Sequence, residues 1–242
     1  MRRRTLTELA NNPDLISGIY NYCDRWCERC PLTSRCLVYA TEQEDNDSPE
    51  NRDVRNELFW RKLSAIFQET REMIVDWAQN AGVDFNAFAE DDEARCKRKR
   101  QLIDNHPLTK AGKKYANAAS DWFREFDQAI EVNDVEDARE VIQWYQYQIA
   151  VKTMRALSGR KEELEEPEIA DFPRDSDGSA KVALIGIDRS IAAWRMMQLS
   201  SPDRVESIVP LILQLERLRQ RLEKSFPQAR DFVRPGFDEL IN

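Results

Sequence analysis

The stretch FWRKLSAIFQETREMIVDW, residues 59 to 77, decides the fold class of this chain. Its apolar side chains, with one threonine among them, recur at alternating steps of four and three residues: Phe59, Leu63, Ile66, Thr70, Met73 and Trp77. That spacing places all six on one face of an α-helix and is typical of a helical bundle. The triplet NAG at 80 to 82 is predicted to end this helix, because glycine is the usual residue just beyond a helix C-terminus.

The same helical period returns along the rest of the chain. Apolar stripes at helical spacing occupy 85–103, 108–129, 138–156, 184–197 and 208–222, and a tight turn is predicted at 131–134. There is no alternation typical of strands and no glycine-rich phosphate loop. We therefore predict an all-α protein, an up-and-down helical bundle with an N-terminal four-cysteine helical hairpin.

Four regions are predicted from these patterns. They are a cysteine-rich, metal- or cluster-binding hairpin (1–43), a first part of the bundle (53–159), an acidic linker with two prolines (160–179) and a C-terminal helical hairpin that completes the bundle (180–242). Within the first region, Asn12 and Pro13 predict a helix start, and the helix is predicted to run to Cys30, before Pro31. A short second helix is expected after Thr33 or Ser34.

Composition limits the classes of function. The chain has 242 residues, 41% hydrophobic and 33% charged, with a net charge of −8. Binding to a polyanion needs clustered positive charge, so this balance argues against nucleic acid as a partner of the whole molecule. No stretch is apolar for long enough to cross a bilayer, and no apolar run follows the basic start, as a secretory signal would require. A cytoplasmic protein with a protein partner is expected.

Four of the five cysteines fall in YCDRWCERCPLTSRC, residues 22 to 36. Cys23, Cys27, Cys30 and Cys36 form the pattern C-x3-C-x2-C-x5-C. Clustered cysteines in a reducing compartment indicate metal ligands before disulfides. If 19–30 is helical, the first three thiols share one face. We predict a metal site with these four ligands, whereas Cys96 is interpreted as a packing residue.

The choice of metal rests on geometry. Residues seven apart on a helix lie about 10 Å apart along its axis, whereas thiolates on one zinc ion lie about 3.8 Å apart. A helical Cys23–Cys30 segment therefore favours a [4Fe–4S] cluster, and one zinc ion is the alternative. The Cys30–Pro31 pair resembles the end of ferredoxin cluster runs. The C-x3-C-x2-C portion also resembles radical S-adenosylmethionine enzymes, but those need an α/β barrel and an open iron.

Other side chains in the motif have two interpretations. Arg25, Arg29 and Arg35 are candidates to offset the negative charge of a tetrathiolate, and they also suit the solvated side of the predicted helix. Trp26 is a candidate to shield a cluster from water, and it also suits plain packing. We predict that these four residues surround the metal site without binding the metal.

Three functions remain open from the sequence. The first is a [4Fe–4S] protein for electron transfer or redox sensing, and the second is a zinc-stapled helical scaffold for protein–protein interaction. The third follows from RQLIDNH, residues 100 to 106, which resembles the R-x4-6-H motif of HEPN-type helical ribonucleases. That resemblance implies RNA cleavage by Arg100 and His106. No catalytic residue is assigned, and whether the chain is an enzyme stays open.

Overall fold

The computed structural model describes residues 8–9, 11–45, 53–82, 91–126, 135–165 and 175–238. Over these ranges the regular structure is helical, without strands, which confirms the predicted all-α class. The described α-helices are α1 (Leu37–Asp45), α2 (Glu57–Ala81), α3 (Asp91–Asn105), α4 (Pro107–Phe126), α5 (Glu136–Glu165), α6 (Asp175–Ser200) and α7 (Val205–Ser225). Short 3-10 helices lie at Ile19–Asn21, Cys27–Arg29, Thr33–Arg35 and Pro202–Arg204.

The ends of α2 show how local sequence sets a helix boundary. The side chain of Asn56 accepts a hydrogen bond from the backbone N–H of Leu58 at 3.0 Å and so caps the first turn. At the other end Gly82 adopts the left-handed conformation, with φ of 68°. A residue with a side chain would be strained at this φ, so glycine is well suited to end the helix. The predicted end of this helix at 80–82 is confirmed.

The chain divides into two compact units. One, the amino-terminal unit, comprises Met1–Tyr20 and Cys27–Arg98. The other, the bundle unit, comprises Asn21–Trp26 and Lys99–Asn242. In this division α2 groups with the cysteine-rich start of the chain, and five residues of the cysteine motif, 22–26, group with the bundle.

The core of the bundle unit is built by α4, α5, α6 and α7, with α5 packed along α6. Gly186 permits this close approach, since a Cβ there would lie 2.9 Å from the ring of Tyr145. At the centre, the fully buried indole of Trp194 donates to the hydroxyl of Tyr115 at 2.9 Å. The rings of Trp122 and Phe123 pack against Trp194 with centroids 5.0 and 5.7 Å away. Large aromatic burial of this kind is a main source of the stability of a helical core.

The predicted linker is helical at both of its ends. Helix α5 continues to Glu165 and α6 begins at Asp175. Tertiary contacts explain the extension: the Arg160 guanidinium lies 4.4 Å from the centroid of Phe226, and Glu163 accepts from the N–H and hydroxyl of Ser176. Residues 166–174 lie outside the described residues, as does the predicted turn at 131–134. Four predicted stripe residues also lie outside them: Phe85, Phe88, Ala89 and Ala129.

The segment after α7 makes the stability of the bundle unit sensitive to acid. Asp238 forms ion pairs with Lys181 at 2.8 Å and Arg234 at 2.9 Å. Burial opposes ionisation of this carboxyl, but hydrogen bonds from Arg234 and Lys181 outweigh it, so the pKa lies well below its ordinary value. A carboxyl whose pKa is lower in the folded state stabilises the fold above its unfolded pKa of about 3.9, and this stabilisation is lost as the pH falls towards the folded pKa.

We therefore expect Asp238→Asn to lower the free energy of unfolding near neutral pH and to matter less in acid. The measurement is urea unfolding of both proteins between about pH 7 and pH 3, a range that spans the ordinary carboxyl pKa. The difference between wild type and variant should be constant above about pH 5 and should shrink below about pH 4. A difference that stays constant throughout would mean that the two ion pairs contribute nothing to the acid response.

Candidate metal centre

The cysteine motif is not an α-helix. Between residues 13 and 36 the backbone forms turns and short 3-10 helices, so the predicted α-helix from Pro13 to Cys30 is wrong. Gly18 and Arg25 interrupt it, with φ of 71° and 58°, because an α-helix needs negative φ at every residue. Asp24 adds a local turn, since its Oδ1 accepts from the N–H of Trp26 at 3.2 Å. From residue 11 to 36, turns and short 3-10 helices take the place of the first predicted helix of the hairpin, and α1 follows at Leu37.

Two of the four thiols have the same backbone environment. The Sγ of Cys30 accepts a hydrogen bond from the N–H of Leu32 at 3.4 Å. The Sγ of Cys23 accepts from the backbone N–H of Arg25, again two residues further along the chain. Hydrogen bonds to sulfur stabilise the thiolate form and are among the features that tune metal–thiolate centres. Each of these two turns therefore directs one backbone N–H at a cysteine sulfur.

Cys23 lies in a half-buried position beside a cation. Burial raises the pKa of its thiol, while the Arg25 N–H and the charges of Lys152 and Arg25 act in the opposite direction. Lys152 projects from α5, is only 7% exposed, and donates to the carbonyl of Asn21 at 3.0 Å. Burial lowers the pKa of this ammonium, and the charge of Cys23 partly restores it. A buried lysine beside a cysteine is able to offset the negative charge of a thiolate.

The six residues Asn21–Trp26, here called the anchor segment, are held by the bundle unit through Asp24. The Asp24 carboxylate accepts from the hydroxyl of Tyr145 at 2.5 Å and from the Arg189 guanidinium at 2.8 Å. The Asp24 carbonyl accepts from the indole of Trp144 at 2.9 Å and from the side-chain amide of Gln148. Both the carboxylate and the carbonyl of one residue are therefore occupied by side chains from α5 and α6.

Aromatic packing fixes the two ends of the anchor segment. Trp26 stacks on Trp144 with ring centroids 5.0 Å apart and an interplanar angle of 16°. At the other end Tyr22 is buried against Phe232, with centroids 4.8 Å apart. Burial and the neighbouring Asp175 carboxylate raise the pKa of Tyr22 to about 12. Packing is therefore a demonstrated role of Trp26, one of its two predicted interpretations.

The side chains that receive the anchor segment were not predicted from sequence. Trp144, Tyr145, Gln148 and Lys152 lie on successive turns of α5, within a helix that we predicted only as a core element. The sequence did contain a sign of this contact surface. Large polar and aromatic residues recur one and two turns apart on α5, which departs from a simple apolar stripe. Its partner, Asp24, lies 121 residues before Tyr145, and no local pattern connects the two.

The three arginines predicted to surround the metal site lie at the surface. Arg25, Arg29 and Arg35 are all exposed. Of these, Arg25 contributes positive charge near Cys23, and Arg35 donates to the carbonyl of Asp14 at 3.3 Å. The charge of Arg25 acts on the Cys23 thiol, as the sequence interpretation proposed for it.

The five cysteines are free thiols, with Cys23, Cys27, Cys30 and Cys36 half-buried and Cys96 exposed on α3. Cys23 belongs to the bundle unit and the other three motif cysteines belong to the amino-terminal unit. Among the residues that the structure describes, no three or more histidine, cysteine, aspartate or glutamate side chains are grouped so that they could hold a metal ion. The metal site therefore stays a prediction from spacing and donor chemistry.

The ribonuclease-like pair lies at a helix junction. Arg100 is exposed on α3, and His106 follows the end of that helix, directly before α4. The Nδ1 atom of His106 accepts from the N–H of Leu108 at 3.2 Å, so the ring caps the first turn of α4. Burial lowers the pKa of His106, which favours the neutral ring that this bond requires. The geometry gives His106 a structural role as a helix cap.

Comparison with known proteins finds no relative: no family model matches the chain, and no curated protein or solved structure resembles it significantly.

None of the helices in the described ranges combines the length and the apolar character that a membrane crossing requires.

Proposed function

We propose that this chain is an iron–sulfur protein that binds a [4Fe–4S] cluster through Cys23, Cys27, Cys30 and Cys36 and serves electron transfer or redox sensing. The observation that carries the proposal is the motif itself, in which four thiols lie within fourteen residues. Two of these thiols accept a hydrogen bond from the backbone N–H of the residue two positions later in the chain. Four cysteine ligands are the usual donor set of such clusters.

Charge near the motif supports a tetrathiolate. Four thiolates carry more negative charge than the iron and sulfide of a cluster neutralise, so nearby cations stabilise the bound state. The positive charges of Lys152 and Arg25 act to lower the pKa of the Cys23 thiol. With four protein ligands, the irons have no open position for a substrate, so the chemistry is gain and loss of an electron. The protein partner expected from the sequence is then the electron donor or acceptor.

One observation favours a second candidate, a zinc-stapled helical scaffold for protein–protein interaction. On one α-helix Cys23 and Cys30 would lie about 10 Å apart along the axis, too far for one zinc ion. The segment is not helical, so helix geometry does not disfavour zinc. Turns in which a backbone N–H points at a cysteine sulfur also suit tetrahedral zinc–thiolate sites. The ligand assignment is the same for both metals.

The deciding experiment is purification of the full chain without oxygen, followed by its visible absorption spectrum and its iron, acid-labile sulfide and zinc content. A brown protein with equal iron and sulfide supports the cluster. A colourless protein with one zinc ion per chain supports the scaffold and rejects redox function. A protein with neither metal, after growth with both supplied, rejects the metal centre altogether.

A further inference from the structure

The bundle unit holds the anchor segment through a set of side chains, here called the anchor site. They come from α5, α6 and the segment after α7: Trp144, Tyr145, Gln148, Lys152, Arg189 and Phe232. The anchor segment and the anchor site belong to one compact unit. The site contacts both the side chains and the carbonyls of the segment. Receptors bind short peptides in this way, since contacts to the peptide backbone give affinity and side-chain pockets give specificity.

Two aromatic residues of the segment occupy the ends of the anchor site. Tyr22 is buried against Phe232 in a space that Gly178 leaves open, because a Cβ there would lie 2.3 Å from the Tyr22 ring. Trp26 stacks on Trp144. Each end of the site therefore receives a flat ring, and buried aromatic side chains are the usual energetic anchors of an interface.

Between the two rings the anchor site binds a carboxylate. Asp24 accepts from the Tyr145 hydroxyl at 2.5 Å and from the Arg189 guanidinium at 2.8 Å. Hydrogen bonds to a charged group are the strong ones, and an uncharged residue in place of Asp24 would deprive Arg189 of this counter-charge. The site therefore selects an acidic residue midway between two aromatic ones.

The contacts to carbonyls do not depend on which side chains the segment carries. Trp144 and Gln148 donate to the carbonyl of Asp24. Lys152 donates to the carbonyl of Asn21 at 3.0 Å. Every peptide presents such carbonyls, so these donors add affinity, while the rings and the carboxylate add selectivity. The pattern that the anchor site accepts is aromatic-x-Asp-x-aromatic, as in the sequence YCDRW.

The anchor segment is joined to the bundle unit by contacts typical of a transient interface. Its neighbours on both sides, Tyr20 and Cys27, group with the amino-terminal unit. Arg25 takes a φ of 58°, which is unfavourable for a residue with a side chain and persists only when surrounding contacts maintain it. Water reaches the ion pair of Asp24 and Arg189, whose side chains are 24% and 54% exposed. Polar, water-accessible contacts resemble those of transient interfaces, so the segment has the features of a bound peptide.

We propose that the anchor site is a binding site for peptides of the pattern aromatic-x-Asp-x-aromatic, which this chain occupies with its own anchor segment. The partner that fits the site is another protein with an exposed segment of this pattern, which displaces residues 21–26. The chain's own segment competes with the partner, because a short tether keeps its effective concentration in the millimolar range. A partner therefore binds at full strength only when the anchor segment has left the site.

The test uses a fluorescent peptide with the sequence of residues 19–28, in which Cys23→Ser and Cys27→Ser remove both thiols. Its binding to the full-length protein is measured by fluorescence anisotropy. Asp24→Ala in the protein weakens the competing segment, so this variant should bind the peptide at least about tenfold more tightly than the wild type. The matched control is Glu28→Ala, which removes an exposed acid nearby and should bind as weakly as the wild type. Circular dichroism checks that each variant keeps its helix content.

Further variants locate the bound peptide. Trp26→Ala in the protein removes the stacked ring and should free the site as Asp24→Ala does. Asp24→Asn in the peptide should weaken its binding to the Asp24→Ala protein about tenfold, because the amide brings no charge to Arg189. Adding Arg189→Gln to the Asp24→Ala protein should weaken binding by a similar factor.

Three results would overturn the proposal. The first is that neither Asp24→Ala nor Trp26→Ala allows the peptide to bind. The second is binding that ignores both Asp24→Asn in the peptide and Arg189→Gln in the protein. The third is a wild-type dimer that Asp24→Ala converts to a monomer, because the anchor segment would then be exchanged between two copies of the chain. The peptide has no thiol, so its binding does not report on the metal.

Discussion

Replacing any one of Cys23, Cys27, Cys30 or Cys36 by serine is expected to remove most of the bound metal. A serine hydroxyl keeps its proton at neutral pH and is a poor ligand for iron or zinc, so one substitution leaves an incomplete site. The measurement is metal content per chain for each variant purified without oxygen, together with its visible spectrum. We expect a loss of at least about tenfold in affinity, as even outer-shell changes at metal sites reach that magnitude.

Cys96→Ser is the matched control, since it makes the same chemical change in the same chain. Cys96 is exposed on α3 and lies outside the motif. Its variant should keep the full metal content. If Cys96→Ser loses as much metal as the motif variants, the ligand assignment is wrong. If a single motif variant keeps all its metal while the other three lose it, that cysteine is not a ligand and the donor set must be redrawn.

Wherever the sequence pattern was long and periodic, it predicted the fold well. The seam from Phe59 to Trp77 is a helix, and Gly82 ends it. Leu108, Tyr115 and Trp122 lie in the core from α4, as do Ile187 and Trp194 from α6. Burial of an apolar face is the main source of helix stability in proteins, so a repeated apolar face carries most of the necessary information.

The anchor segment shows why the N-terminal prediction failed. The predicted helix rested on a start signal at Asn12 and Pro13, but the conformation between Pro13 and Cys30 is set by distant partners. The carbonyls of Asn21 and Asp24 accept from Lys152 and Trp144 of α5 instead of from backbone N–H groups of their own helix. Arg25 takes a positive φ in the same stretch. Tertiary hydrogen bonds override a weak local preference, and one sequence does not reveal them.

The metal prediction was affected by the same error. The four ligands came from spacing, whereas the preference for iron–sulfur over zinc rested mainly on a helical Cys23–Cys30 segment, which the structure does not form. Sulfur-directed N–H groups at Cys23 and Cys30 support a thiolate centre without choosing its metal. Metal analysis therefore has to precede any assignment of redox function.

Gly178→Ala is expected to release the anchor segment. Gly178 lies in the first turns of α6, beneath the buried ring of Tyr22. A Cβ at this position would lie 2.3 Å from Tyr22 Cε1 and 2.8 Å from Phe232 Cε1, far inside van der Waals contact. Alanine favours a helix over glycine by about 1 kcal/mol, so a loss of stability has to come from the clash. We expect the free energy of unfolding to fall by about 1–3 kcal/mol, as for other overpacked cores.

A double-mutant cycle separates this clash from a general defect in α6. Tyr22→Ala removes the ring, and Gly178→Ala added to it should cost nothing, because Phe232 gains room to move. The coupling free energy between Tyr22 and Gly178, measured by urea unfolding, should therefore equal the loss of unfolding free energy caused by Gly178→Ala alone. If Gly178→Ala is equally harmful with and without Tyr22, the anchor segment does not pack on α6 as described. If the coupling is found and Gly178→Ala also loses metal, then the packing of Asn21–Trp26 on the bundle holds Cys23 in its ligand position.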